Sequence, residues 1–311
     1  MKISVVIPTY NRRDLVQRML STLFAQRLPA SEIIVVVDGS TDGTAEALGV
    51  LAAPVPLRVL EQPNRGPSAA RNAGIHAAAG ELILFLDDDM LCDPGLIAAH
   101  AAAHADADDL IALGSLTLSP DSPRTLAAAC FEQEFAARNL TWTLESTDGW
   151  IDIPSIFSNT SLRREFLLRA GGFDEAFRMR EDLELGYRLL AAGARAVAVP
   201  EAVARQHYDK SAATLVRDAR IFAAGDRLFA RKHPENHVRG QLNWFAAQSG
   251  PRLQLLRAAA TAPALADLAL VPLCGLAQAL IALPFFRALG VRALQFRRRI
   301  HWLHAIQHLK D

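Results

Sequence analysis

The chain has 311 residues, 51% hydrophobic and 21% charged, with 33 basic side chains balanced by 33 acidic ones. That apolar content excludes a disordered chain, and the length allows one large core or two modest ones. Zero net charge argues against a general nucleic-acid binder, and three scattered cysteines (Cys92, Cys130, Cys274) exclude a disulfide framework or a thiolate metal site.

The opening segment "MKISVVIPTYNRRD" reaches polar residues after only a few apolar ones, too few for a signal-peptide core. With the cysteine usage, this predicts a cytoplasmic protein that begins directly with a strand. Short β-branched runs at 3–9, 33–38, 57–61 and 81–87 read as buried strands, and 12–26, 41–53, 66–80 and 94–105 as helices. The alternation predicts an α/β fold: a mostly parallel sheet with right-handed crossovers, binding ligands outside the carboxyl ends of its strands. Three polar signals fall at those ends: "PTYNR" after the first strand, "DGSTDGT" after the second and "DDD" after the fourth.

From 106 to 160 the pattern is less regular. "SLTLSPDSPRTL" reads as loop, "AAACFEQEFAARNL" as helix, and "WIDIPSIFSNTSL" as short strand and turn. Next comes a helix closed by Gly171 and Gly172, then "REDLELGYRLLAAGARAVAVPEA" as a helix, a glycine stop and a strand. Past about residue 210 the texture becomes helical. "TLVRDARIFAAGDRLFARKHPE" is amphipathic, 268–286 carries no charge, and the chain ends in the arginine-rich "RALQFRRRIHWLHAIQHLK".

Side-by-side carboxylates at a strand end, Asp87, Asp88 and Asp89, suit a shared hard divalent cation, since Mg²⁺ and Mn²⁺ take oxygen ligands and substrate phosphates. A solvated, helix-capping acidic turn is the competing reading. Pro8, Thr9, Tyr10, Asn11 and Arg12 share that edge, as does Asp38, which precedes glycines and small hydroxyl residues that let backbone approach a ligand. Gly66 marks a tight turn, and Arg71 on the following helix reaches a base or a phosphate, or forms a surface salt bridge.

Taken together, "SVVIPTYNR", "VVVDGSTDGT", "NRGPSAARNAG" and "FLDDDM" resemble inverting glycosyltransferase family 2, whose fold is GT-A, over residues 1–210. The resemblance implies a nucleotide-sugar donor, most often UDP-linked, with Asp38 at the base and Arg71 and the Pro8–Arg12 loop framing the nucleotide. It implies that Asp87 and Asp89 are the outer residues of a D-x-D motif holding Mn²⁺ or Mg²⁺ and the diphosphate, with Asp88 beside them. "REDLELGYRL" resembles the family's E-D motif, making Asp182 the catalytic base with Glu181 next to it. Asn159 in "SIFSNTSLRR" is implied as a sugar contact, and His207 as a residue near metal or diphosphate. Where Asp38 has Val37 and Gly39 as neighbours, many family members carry a second acidic or asparagine residue.

The expected division is a catalytic domain over 1–210 and a helical region over 211–311. Three readings compete for 268–286, which is interrupted by Pro272, Gly275 and Pro284: a transmembrane helix, an interfacial hairpin, or a packed helical subdomain. In the last helix, Phe296, Ile300 and Leu303 share a face near Trp302 and Arg297–Arg299, a pattern that suits anionic headgroups or, alternatively, an arginine-rich solvated face over ordinary core. Residues 264–311 are therefore expected to contact the cytoplasmic face of a membrane, and the acceptor to be a glycan or lipid-linked hydroxyl. A sugar nucleotidyltransferase is the enzyme alternative, but "PTYNRRD" is not its glycine- and basic-rich loop. A non-catalytic nucleotide-sugar-binding scaffold is the other, and it gives no reason for Asp87, Asp89 and Asp182 to occur together.

Overall fold

A computed structural model describes residues 1–105, 107–145, 158–234 and 250–308. The first part of the chain alternates as expected: β1 (Ile3–Thr9), α1 (Arg13–Phe24), β2 (Glu32–Asp38), α2 (Thr44–Gly49), β3 (Leu57–Gln62), α3 (Pro67–Ala77), β4 (Leu82–Phe85), β5 (Met90–Cys92) and α4 (Leu96–Ala103). There follow β6 (Leu110–Leu118), α5 (Leu126–Glu145), β7 (Thr160–Arg163), α6 (Arg164–Arg169), α7 (Glu181–Ala191) and β8 (Arg195–Gln206). The remaining described helices are α8 (Ala212–Lys232), α9 (Pro251–Thr261), α10 (Pro263–Ala279) and α11 (Pro284–His308).

Eight strands form one sheet in the order β3-β2-β1-β4-β7-β6-β8-β5. β1 runs parallel to β2 and β4, β2 parallel to β3, and β6 parallel to β8, while β7 is antiparallel to β4 and β6. The central strands read as continuous apolar runs because both faces are covered. Along β1, Ile3, Val5 and Ile7 pack with Val16, Met19, Leu20 and Leu23 of α1. Val6 turns the other way, into a cluster that includes Ala70 and Ile75 of α3 and Leu185 and Leu189 of α7. Each fully buried Ile, Leu or Val contributes about 1.5–3 kcal/mol of transfer free energy, which fixes the register of β1.

Two elements differ from the sequence reading. The segment read as loop from 115 begins as strand: β6 runs to Leu118, held between β7 and β8. A short β5, hidden in the polar turn after the acidic run, pairs antiparallel with the end of β8. Both owe their strand form to partners distant in sequence, not to local pattern. In the expectation for "WIDIPSIFSNTSL", residues 150–157 lie outside the described residues.

The chain divides into two compact units, 1–119 with 135–207, and 120–134 with 208–311. The first is the mixed α/β sheet unit. In the second, α8 starts at Ser211, whose hydroxyl accepts from the Thr214 amide at 3.1 Å as an N-cap. Its core gathers Leu126 and Cys130 from the first turns of α5, Leu215 and Val216 from α8, Cys274 and Ala277 from α10, and Leu294 from α11. Ile300, Trp302 and Leu303 are buried in a second cluster of the same unit with Leu253 and Leu256. The apolar face of the last helix is therefore ordinary core and does not face outward.

Candidate active site

Because β1, β2 and β4 are parallel neighbours, their carboxyl ends open on one edge of the sheet. The loop after β1 turns at Asn11, a non-glycine residue at φ 51°, in the left-handed region that asparagine tolerates best. Its amide N–H donates to Ser40 Oγ at 2.9 Å, and its Oδ1 accepts from the Thr41 amide at 2.7 Å. The Arg13 amide donates to Asp42 Oδ2 at 3.0 Å, so the two loops are stitched side by side. Pro8 and the buried Thr9 lie at the base of this edge, and Tyr10 stands half-exposed above it.

The acidic run meets two arginines. Arg12 Nη1 donates to Asp88 Oδ1 at 3.1 Å and Asp89 Oδ2 at 2.8 Å. Gln206, at the end of β8, donates to both oxygens of Asp89 at 3.1 and 3.3 Å, and the His207 amide donates to the Asp89 carbonyl at 2.8 Å. Asp87 takes Arg71 Nη2 at 3.0 Å on one oxygen and the Ser158 hydroxyl at 2.5 Å on the other. Burial pushes the Asp88 carboxyl up to about 7, against the pull of Arg12 and with Asp89 adding to the rise. Burial, then the Asp87 charge, raises Asp89 as well. Asp88, which the sequence resemblance left between the two outer aspartates, is thus as buried as Asp89 and shares Arg12 with it.

Arg71 is the centre of the site. From the buried face of α3 its guanidinium donates to Asp87 through Nη2 and to Glu181 Oε1 at 2.9 Å through Nη1, and it lies 5.5 Å from the ring centre of Phe173. It bridges the acidic run after β4 and the start of α7. Glu181 and Asp182 open α7, preceded by Arg180 at φ 73°. Burial and then the neighbouring Asp182 push Glu181 up to about 7, although Arg71 draws it down. Asp182 is less buried than Glu181, and its Oδ1 accepts from the Leu183 amide at 2.7 Å in the first helical turn.

Asp38 is buried, with all of its described bonds going to neighbouring chain. Its oxygens accept from Gln62 Nε2 at 2.7 Å, the Arg65 amide at 2.9 Å and the Gly66 amide at 2.8 Å. It fixes the turn at Gly66, whose φ of 92° suits glycine, immediately before α3 and Arg71. Asn159 is fully buried at φ 59°. Its Nδ2 donates to the Ser115 and Ala202 carbonyls at 3.0 and 2.7 Å, and its Oδ1 accepts from His100 Nε2 at 3.0 Å. Gly114 leaves room for this amide: a Cβ there would sit 2.1 Å from Asn159 Nδ2.

The strand edge therefore brings together Arg12, Arg71, Asp87, Asp88, Asp89 and Glu181, with Asp182 next in the chain. It does not bring the Asp38 and Asn159 side chains into that cluster. Sequence reading missed Ser158 and Gln206, both bound to the acidic run, because their contacts depend on β7 and β8 joining the sheet. Among the described residues, no three Asp, Glu, His or Cys side chains converge closely enough to hold a metal by themselves.

A model of the family described as "Glycosyl transferase family 2" matches residues 4–167. Validoxylamine A glucosyltransferase of Streptomyces hygroscopicus subsp. jinggangensis is 32% identical over 279 residues, covering 80% of this chain and 64% of that protein. Succinoglycan biosynthesis protein ExoO of Rhizobium meliloti is 30% identical over 246 residues, covering 74% and 68%. The chain thus spans just under two thirds of the length of the glucosyltransferase it matches. Among solved structures, the mannosyltransferase PcManGT from Pyrobaculum calidifontis, in complex with GDP-Man and Mn²⁺, aligns with a TM-score of 0.64 and 22% identity over 99% of this chain and 88% of that one. S. aureus TarS 1–349 in complex with UDP aligns at 0.52 and 18% identity, over 97% and 90%. These likenesses show the GT-A fold.

Proposed function

The chain belongs to glycosyl transferase family 2, and from that premise we propose that it is an inverting glycosyltransferase that moves a sugar from a nucleotide-sugar donor to a hydroxyl of a glycan or lipid-linked acceptor. The observation that carries the reading is the Arg71 bridge. One guanidinium holds Asp87, on the donor side, and Glu181, whose neighbour Asp182 is the proposed base. In a single displacement the base takes the acceptor hydroxyl's proton as that oxygen attacks the anomeric carbon, so base and diphosphate must be held in fixed relation. Asp182, in the first turn of α7, is the residue for that proton.

A divalent cation, Mn²⁺ or Mg²⁺, belongs to this reading. The donor set suits one: Asp87, Asp88 and Asp89 offer only carboxylate oxygens, and with Glu181 they form four acids around two guanidiniums, Arg12 and Arg71. Asp87 and Asp89 would hold it, and the diphosphate would complete its ligands. Bound there, it would stabilise the departing diphosphate. Arg12 is placed to release Asp89 to the cation and turn towards a phosphate. Asp38 acts on the nucleotide through the turn it fixes at Gly66, and His207 by anchoring Asp89 through its backbone. A UDP-linked donor is the first choice; PcManGT was solved with GDP-Man and TarS with UDP, so both bases belong in the screen.

The test is Asp182→Asn, compared with wild type for transfer and for donor binding. Transfer falls by at least about 10³-fold while the donor dissociation constant stays within about two-fold. Equal loss of both removes Asp182 from the role of base.

A further inference from the structure

Helix α10 turns an apolar face to water. On its outward side Leu265, Leu268, Val271 and Leu276 are 68%, 74%, 46% and 53% exposed, and the apolar surface continues through Leu283 and Phe285. Every exposed residue from 264 to 279 is apolar. The polar residues Asp267 and Gln278 instead have partners within the unit: Asp267 takes Arg297 Nε at 2.7 Å, while Gln278 bonds the Arg124 carbonyl at 3.0 Å and the Leu126 amide at 2.8 Å. A water-facing helix ordinarily has the reverse arrangement.

The charge on helices α9 to α11 is nearly all of one sign, although α5 lends Glu132 to Arg287 and Glu134 to Arg298. Between 250 and 308 there are seven arginines and a single acidic residue, Asp267, which is already paired. Arg252 and Arg257 on α9 and Arg292 on α11 are exposed, as is Arg287, which already pairs with Glu132. We propose that the outward face of α10 docks on an anionic lipid surface, with the helix lying flat at the interface and these arginines meeting headgroup phosphates. The geometry favours lying on the bilayer over crossing it. α10 has 17 residues, about 25 Å, against a hydrocarbon core of about 30 Å. No single helix among the described residues is long and apolar enough to cross a membrane, and α9 and α10 meet at a bend of 108°.

Flotation of the full chain with vesicles tests this. Wild type floats with phosphatidylcholine vesicles that contain phosphatidylglycerol, and at least about ten-fold less with pure phosphatidylcholine. The variant Leu268→Glu/Leu276→Glu, altered only at exposed positions and melting like wild type, loses about ten-fold or more of that partition. Arg252→Gln and Arg292→Gln each lower it about five-fold on anionic vesicles alone. Wild type that stays unbound, or variants that bind as well as wild type, overturn the proposal. So does a wild-type dimer by light scattering that Leu268→Glu/Leu276→Glu splits, with no vesicle binding by either, because a second copy then covers the face.

Discussion

The single side chain that organises the site is Arg71. Its two terminal nitrogens are each committed to a different carboxylate, so neither a lysine nor an apolar residue reproduces it. Breaking a buried pair leaves uncompensated charge behind, at a cost of about 3–5 kcal/mol. Arg71→Met should therefore lower unfolding free energy by about 3 kcal/mol, and Arg71→Lys, which keeps one contact, by about 1 kcal/mol. Urea denaturation measures both. Equal, negligible losses would mean that Asp87 and Glu181 do not depend on Arg71. If Arg71→Lys stays folded, its transfer rate should fall further than its donor affinity, because what it loosens is the relation between Asp87 and the α7 carboxylates.

At the scale of elements, α4 and β7 are joined by a chain of neutral groups. His104 Nε2–H donates to Ser161 Oγ at 2.9 Å, Ser161 donates to His100 Nδ1 at 2.8 Å, and His100 Nε2–H reaches Asn159. The tautomers follow from Asn159 Oδ1, which can only accept. Ser158, the residue before Asn159, holds Asp87, so this buried chain also sets a contact of the site. Burial pushes both imidazoles down to about 4. Against an unfolded value near 6.5, the folded protein binds fewer protons in that window. Their stabilisation is complete above about pH 6.5 and is lost as pH falls towards 4, at roughly 1.4 kcal/mol per imidazole for each unit crossed. Asp88 and Glu181, raised to about 7, act in the opposite sense between about pH 4 and 7, and are common to wild type and variant. Melting curves of wild type and His100→Gln should converge as pH drops from 7 to 4.5; parallel curves would mean that His100 carries none of this pH dependence. The parallel core strands were legible because β1, β2 and β4 are continuous apolar runs, and the acidic run because no strand end requires it. β5, β6, Ser158 and Gln206 were not, since their states are set by residues 40 to more than 100 positions away, as in Gln206 with Asp89. Asn159 was legible as a special residue in "SIFSNTSL", but only its surroundings show an amide committed to the sheet interior.

At the scale of the whole molecule, a sheet unit that carries the acidic site is followed by a helical unit with its own core. The arginine-rich last helix looks amphipathic in sequence, yet Ile300 and Leu303 are interior, and the outward apolar surface belongs to α10. Removing 264–311 would strip that unit of Cys274, Ala277, Leu294 and Ile300, so exposed substitutions are the sound probe of what the surface does. At the sheet edge, Asp87 and Asp89 are proposed to hold a cation and, through it, a donor diphosphate. Calorimetry of UDP and GDP binding to wild type and Asp89→Ala, with and without Mn²⁺, addresses it most directly. Wild type should bind one of the nucleotides at least about ten-fold more tightly with Mn²⁺, and Asp89→Ala should lose that gain while keeping the metal-free affinity. Equal affinity with and without metal in wild type, or a loss in Asp89→Ala that ignores the metal, would contradict it.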